Sequence, residues 1–395
     1  MSIVEKLHAT IQTLVDKHHP NRLLDEPTTH DDQIDLCSHH FGVNGLINSA
    51  NSCYMNSTLQ CILHTYDVVG FFSDKNIQKF INPDKPHTRL LVSFINILYT
   101  YWKQSNESLD PFEFRQLLGL FNQQFRNHHQ QDAHEFLNYI LDTFHECTKY
   151  TYPERILDTY DKNYESQLNK IPTFRTKELE KIINIRYGFS IINHIFAINE
   201  IQQLRCDSSN CNHSSFQITH SYSLILELTK PKKLIQHGKI IHTTTLYTCL
   251  NTYFSPCRMD EWICSKCKKS GGSKILRMIN TPTTLIITLN RFVVNQGIAR
   301  KNNESIHYPE YLDMTPYIYT GSSSDTSDDG SIDSGHYRLN SVVCQIGSMN
   351  GGHYYSYARH LNNQWFSFND RQVMPVNISE VLNDNNNAYI LFYTR

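Results

Sequence analysis

The chain has 395 residues, with 36 Lys and Arg against 38 Asp and Glu and a formal net charge of -2. That length allows two or three domains, or one large one with insertions, and is ample for a hydrophobic core. The near-neutral balance gives no argument for nucleic acid or a membrane surface as the main partner. Eleven cysteines is an odd count, without the short spacings of a disulfide scaffold. They point to a reducing compartment, cytoplasmic or nuclear, where thiols are catalytic, metal-bound or buried. Glu5 and Lys6 carry charge where a signal peptide needs an apolar run, and no run of about 20 apolar residues suggests a membrane span.

In chain order, Ile3, Val4, Leu7, Ile11, Leu14 and Val15 recur at helical spacing and predict an amphipathic helix over 3–17. A polar, His-rich stretch from 18 to 40 reads as a loose connector. Residues 56–66 form the next predicted helix, with Met55, Leu59, Ile62 and Leu63 on one face. Two more follow over 90–102 and 132–145. The second half changes character. Segments starting at Ser221, Thr284, Tyr337 and Ala388 are rich in β-branched and aromatic residues and predict strands. Helices followed by strands imply an α+β fold. Residues 321–335 are mostly Ser, Asp and Gly, and read as a surface insertion between two strands.

Two segments carry chemistry. A loop of small and polar residues runs from Gly45 into the helix, with Cys53 at the junction. A thiol there faces unsatisfied backbone N–H groups and the positive end of the helix dipole, which favour the nucleophilic thiolate. Asn51 and Ser52 are cap-forming types. The Asn48 amide could donate to a developing oxyanion. Far downstream, Gly351-Gly352-His353 leads into an aromatic strand, and Trp365-Phe-Ser-Phe-Asn369-Asp370 follows as the second arm of a hairpin. A side-chain oxygen of Asn369 or Asp370 could accept from Nδ1–H of His353 and leave Nε2 facing a thiol.

Together these stretches resemble the ubiquitin-specific protease family. The cysteine box Gly45–Gln60 agrees with the family pattern except for Ala50 in place of Gly and Ser52 in place of Thr. Gly352-His353-Tyr354 and Trp365 to Val373 match the histidine box, 130–137 the Q-x-D-A-x-E-F-L helix, and Leu285 to Phe292 the L-x-L-x-L-x-R-F strand. The resemblance covers 42–395 and leaves 1–41 as an N-terminal helical extension and linker. It implies a papain-superfamily hand with a helical thumb, a β palm and β fingers, the fingers near 200–280. It implies Cys53 as nucleophile, His353 as base, Asn369 as third member, Asp370 as its supporting neighbour and Asn48 at the oxyanion. Asp132 and Glu135 take the positions that contact the basic tail of ubiquitin, where a carboxylate can pair with its arginine.

The reaction implied is hydrolysis after the C-terminal glycine of ubiquitin, with ubiquitinated proteins as substrates and activating partner proteins as a further expectation. No catalytic cofactor is expected. If position 50 needs φ > 0, alanine there costs about 1 kcal/mol. That motivates one rival reading, a ubiquitin-binding scaffold with impaired catalysis; another is a protease of a different ubiquitin-like modifier. Cys206, Cys211, Cys264 and Cys267 form the four-thiolate pattern of structural zinc, with His213 and Cys257 as alternative ligands.

Overall fold

The computed structural model describes residues 41–395 except 75, 105–106, 151, 153, 155–156, 158–175, 212, 230–231, 237–238, 296–297, 320–334 and 349–350. The helix expected at 3–17, its connector and the insertion at 321–335, Gly335 apart, lie outside the described residues.

The first half is helical: α1 (Cys53–Leu63), α2 (Tyr66–Phe72), α3 (Thr88–Lys103), α4 (Phe112–Phe121), α5 (Ala133–Thr148), α6 (Thr176–Tyr187) and α7 (Ile191–Phe196). Then come β1 (Ile198–Cys206), β2 (Ser214–Ser221), β3 (Leu224–Glu227), β4 (Lys232–Gln236), β5 (Lys239–Thr245), α8 (Leu246–Phe254), β6 (Cys257–Ile263), β7 (Ser270–Met278), β8 (Thr284–Asn290), β9 (Phe292–Asn295) and β10 (Ile298–Lys301). The chain closes with β11 (Ile306–His307), β12 (Tyr311–Asp313), β13 (His336–Gly347), β14 (Gly352–Arg359), β15 (Trp365–Asn369), β16 (Gln372–Val376), α9 (Ile378–Asn383) and β17 (Ala388–Thr394).

An eight-stranded sheet forms the palm in the order β16-β15-β14-β13-β17-β8-β3, with β12 added on β13. A second sheet, β2-β1-β7-β6, forms the fingers. The stretch between β2 and β6 leaves the fingers, because β3 pairs in parallel with β8 in the palm. So only part of 200–280 belongs to the fingers. β17 and β8 are buried along nearly their whole length, which explains their continuous apolar runs. In α6, Leu179, Ile182 and Ile183 recur at helical spacing and pack on Ile201, Phe216 and Ile218 at the base of the fingers.

α1 departs from its expected one-faced pattern. All eleven of its residues are buried, between β14 on one side and α5 on the other. Its polar side chains are paired rather than solvated. Gln60 donates to the Asn44 carbonyl at 2.8 Å and accepts from the Tyr101 hydroxyl at 2.6 Å. Thr58 donates to the Tyr54 carbonyl at 2.8 Å. A helix buried all round holds its first residue, Cys53, at the seam of thumb and palm.

Candidate active site

The site is built where two ends of the domain are sewn together. Leu46 N–H donates to the Asp370 carbonyl at 2.8 Å. Gly45 allows this approach, since a Cβ there would sit 2.4 Å from the Arg371 carbonyl oxygen. The chain then turns sharply before α1, with φ of 61° at Ala50 and 60° at Asn51. Position 50 therefore does need left-handed backbone, at a cost for alanine of about 1 kcal/mol. Ser52 occupies the N-cap position but makes no side-chain cap bond; its hydroxyl accepts from the Ser49 N–H at 3.1 Å instead. The first-turn N–H groups of α1 thus remain available beside the thiol.

His353 stands at the start of β14, half-buried. Its Nε2 lies 2.6 Å from Asn369 Oδ1. A hydrogen bond with the Cys53 side chain is the main cause that lifts its pKa from 6.5 to about 9; burial opposes this and Asn369 adds to it. The ring is therefore reversed relative to the expectation: Nε2 meets the carboxamide, and Nδ1 is left for the thiol. Of the two candidates for the orienting role, Asn369 makes the contact.

Asp370 faces the other way. It begins the two-residue turn between β15 and β16 with φ 51°, the left-handed value such turns demand. Its Oδ2 accepts from Asn48 Nδ2 at 2.9 Å and its Oδ1 from Asn56 Nδ2 at 2.8 Å. Asn48 Oδ1 accepts in turn from the Ser52 N–H at 2.9 Å. One donor of the Asn48 amide is thus held by Asp370, which fixes the direction of the other. The sequence reading did not single out Asn56, because its partner lies 314 residues away.

On the thumb side, Asp132 caps α5. Its Oδ1 accepts from the N–H groups of His134 (2.7 Å) and Glu135 (3.0 Å), and its Oδ2 from the Tyr389 hydroxyl (2.7 Å). Glu135 is exposed and accepts from Gln124. Gln130 opens the Q-x-D-A-x-E-F-L segment. Its amide bonds both the N–H and the carbonyl of Gly352, one residue before His353. It thereby ties the histidine strand to the start of α5. Arg291, in the L-x-L-x-L-x-R-F strand, is wholly buried and donates to the carbonyls of Ala388, Asn302, Glu304 and Asn385 at 2.6–3.0 Å.

At the tip of the fingers, the sulfurs of Cys206, Cys211, Cys264 and Cys267 all lie within 4.8 Å of one another. Two knuckles present them, one between β1 and β2 and the other between β6 and β7, where Lys268 adopts φ 61°. Burial works against the Cys264 thiolate, but the backbone N–H groups of Cys267 and Lys266 and the neighbouring thiols of Cys267 and Cys211 bring its pKa below the ordinary value, while the same thiol contacts help raise Cys206 and Cys211. Cys206 and Cys267 sulfurs are 3.7 Å apart, and those of Cys211 and Cys264 3.8 Å. A tetrahedron with metal–sulfur bonds of about 2.3 Å has edges of about 3.8 Å. The cluster can hold a metal ion, and the wide C-x4-C spacing does not prevent this. His213 is engaged with the Ser265 hydroxyl at 2.9 Å, and Cys257 is exposed; neither belongs to the cluster. No described helix is long and apolar enough to cross a membrane.

A family model described as "Ubiquitin carboxyl-terminal hydrolase" matches residues 44–393. The chain is 29% identical over 376 residues to "Ubiquitin carboxyl-terminal hydrolase 4" of Vanderwaltozyma polyspora, covering 89% of this chain and 41% of that protein. It is 30% identical over 374 residues to "Ubiquitin carboxyl-terminal hydrolase 5" of Saccharomyces cerevisiae, covering 89% and 44%. The chain thus spans about two fifths of the length of these relatives. Among solved structures, a chain of the SAGA DUB module Ubp8/Sgf11/Sus1/Sgf73 bound to monoubiquitin superposes with a TM-score of 0.66 at 22% identity, covering 97% of this chain and 74% of that one. The same module bound to ubiquitin aldehyde gives 0.65. These likenesses are of fold, and they agree with the α+β hand described above. With the family model matching nearly the whole described domain, this chain belongs to the ubiquitin carboxyl-terminal hydrolase family, in its ubiquitin-specific protease branch.

Proposed function

We propose that this chain is a thiol-dependent deubiquitinase that cleaves the bond after the C-terminal glycine of ubiquitin. The observation that carries this reading is the line from Cys53 to the His353 ring to Asn369 Oδ1, assembled from segments 300 residues apart in sequence. In the proposed reaction the Cys53 thiolate attacks the glycine carbonyl. The free Asn48 donor and the first N–H groups of α1 stabilise the oxyanion. His353, held by Asn369, gives its proton to the leaving amine, and water then hydrolyses the thioester. Asp370 orients Asn48. Exposed Glu135 pairs with the arginine of the ubiquitin tail, and Asp132 keeps the start of α5 beside it.

The four finger cysteines hold a structural zinc in this reading, supported by the sulfur spacing. The mechanism needs a reduced Cys53, which fits the cytoplasm or nucleus. The similar SAGA DUB module contains Sgf11, Sus1 and Sgf73 beside Ubp8; by analogy, a partner protein raises the turnover of this chain. Residues 1–41 form an extension to a catalytic domain of 42–395.

A fluorogenic amide at the C-terminus of ubiquitin tests the reading. Turnover by the wild type is expected. Ubiquitin binding without turnover would leave the scaffold reading, and turnover only with another ubiquitin-like modifier would replace the substrate.

A further inference from the structure

The left-handed turn ahead of Cys53 is held from outside by two other elements. Arg115 lies half-buried on the first turn of α4. Its Nη2 donates to the Ala50 carbonyl at 3.1 Å and to His128 Nδ1 at 2.7 Å. Asn51 Nδ2 donates to the His128 carbonyl at 2.9 Å. The turn, α4 and the loop around His128 thus close a ring of three hydrogen bonds. Among the described residues, no carboxylate forms an ion pair with Arg115. Its guanidinium is therefore directed to two neutral acceptors, one of them the strained turn itself. The two N–H bonds of this one nitrogen serve both acceptors, in directions that the planar guanidinium fixes and a freely rotating ammonium does not.

The turn matters because Asn48 spans it. Asn48 Oδ1 accepts from the N–H of Ser52, four residues on, and Ser52 precedes the nucleophile. Any opening at residues 50 and 51 moves Asn48 relative to Cys53. A glycine at position 50 would adopt φ 61° without cost; alanine resists it, so an external restraint has more to do in this chain.

We propose that Arg115, with His128 as its second anchor, is a positioning residue for the hydrolysis: it holds the Ala50–Asn51 turn closed and so sets the Asn48 donor against Cys53. The inference rests on the deubiquitinase reading above. Arg115 touches neither the thiol nor the proposed substrate tail and acts only through the turn. Two properties follow. Its loss changes turnover more than ubiquitin binding, because Glu135 stands on α5 and Asp132 at its cap, not on the turn. Its loss also matters less when the turn is unstrained.

The experiment compares wild type, Arg115→Ala, Arg115→Lys, Ala50→Gly and the Arg115→Ala/Ala50→Gly double variant. The readouts are kcat and KM on the ubiquitin C-terminal amide, together with hydrogen exchange of the 48–53 backbone. Arg115→Ala is expected to lower kcat about tenfold, within the range that small misplacements produce, with KM within about twofold. Arg115→Lys falls between it and the wild type. Ala50→Gly shrinks the Arg115→Ala loss to about threefold or less, a coupling that independent sites do not show. Exchange at 48–53 speeds up about tenfold in Arg115→Ala and returns toward the wild-type rate in the double variant.

Unchanged exchange at 48–53 in Arg115→Ala overturns the restraint, whatever the activity. Equal losses of kcat in the Ala50 and Ala50→Gly backgrounds overturn the route through the turn. A wild type that binds ubiquitin without turnover contradicts the hydrolase reading and with it any catalytic role for the restraint; the exchange result then stands as a separate fact about the turn.

Discussion

The thumb–palm seam and the tip of the fingers both join segments distant in sequence, but they are held by different means. At the seam, the polar side chains are joined by hydrogen bonds between groups of the chain itself: Asp370 to Asn48 and Asn56, Asn369 to His353, Gln130 to Gly352. Behind them lies a large core of thumb helices and palm strands. At the fingertip, Cys206, Cys211 and Cys264 form their own small cluster, with only Trp262 and Cys267 among the described hydrophobic residues packed against it. Four thiols in so little apolar surroundings contribute little burial energy, so in the proposed reading a bound zinc ion supplies the cohesion. The reactive centre is thus preorganised by the fold, whereas the fingertip is built of four cysteines spaced to hold a metal ion.

The largest expected effect breaks the fingers and spares the seam. Structural zinc sites in small domains contribute on the order of 10 kcal/mol of folding free energy. Chelation, or Cys264→Ser, is therefore expected to unfold the 206–211 and 264–267 knuckles and abolish ubiquitin binding. Alkylation of Cys53 by a small reagent should continue at close to the wild-type rate. Equal loss of both would show that the two regions are not separable.

Next in size comes the seam. His353→Ala is expected to reduce turnover by about four orders of magnitude, with ubiquitin affinity retained. Asp370→Ala should lower it by about a hundredfold, because removing an oxyanion donor costs that much and Asp370 is what aims Asn48. Asn369→Ala, in contrast, acts on His353 itself. The two therefore differ in which pH limb they shift: Asn369→Ala moves the histidine titration, and Asp370→Ala scales the rate at every pH. Parallel shifts in both variants would refute the division of labour between the two neighbours.

The smallest effect is electrostatic. Contact with Cys53 is the main cause that raises His353 to about 9. A folded-state pKa above the unfolded value of 6.5 stabilises the fold fully below about pH 6.5, and that contribution fades as pH rises through 9. The alkaline limb of turnover should bend near pH 9. In Cys53→Ala, the His353 midpoint measured by NMR should fall, since its main support is gone; an unmoved midpoint would deny the contact.

Much of this seam was legible in the sequence. Cys53, His353 and Asn369 stand in ordered boxes, and the strands at 284, 337 and 388 announced themselves by β-branched and aromatic runs. The strain at Ala50 was readable too, as an alanine where a turn wants glycine. What stayed hidden depends on partners hundreds of residues apart. No local pattern shows that Asp370 serves Asn48 and Asn56 rather than His353, since a two-residue turn points neighbouring side chains in opposite directions. Nor does spacing reveal which imidazole nitrogen meets the thiol. The motif marks Asp132 as a tail-contact position; that its carboxylate also caps α5 and accepts from Tyr389 is visible only in the fold. The helix α1 read as one-faced because burial of Gln60 and Asn56 is made affordable only by acceptors and donors from elsewhere in the fold.

In the proposed function, Cys53 is a nucleophile prepared for the C-terminal carbonyl of ubiquitin. Reaction of the protein with ubiquitin carrying an electrophilic C-terminus tests it directly, read by mass spectrometry on wild type and Cys53→Ala. One ubiquitin is expected on the wild type, through the peptide containing Cys53, and none on the variant. Labelling that persists in Cys53→Ala, or a wild type that binds ubiquitin yet remains unlabelled, would contradict it.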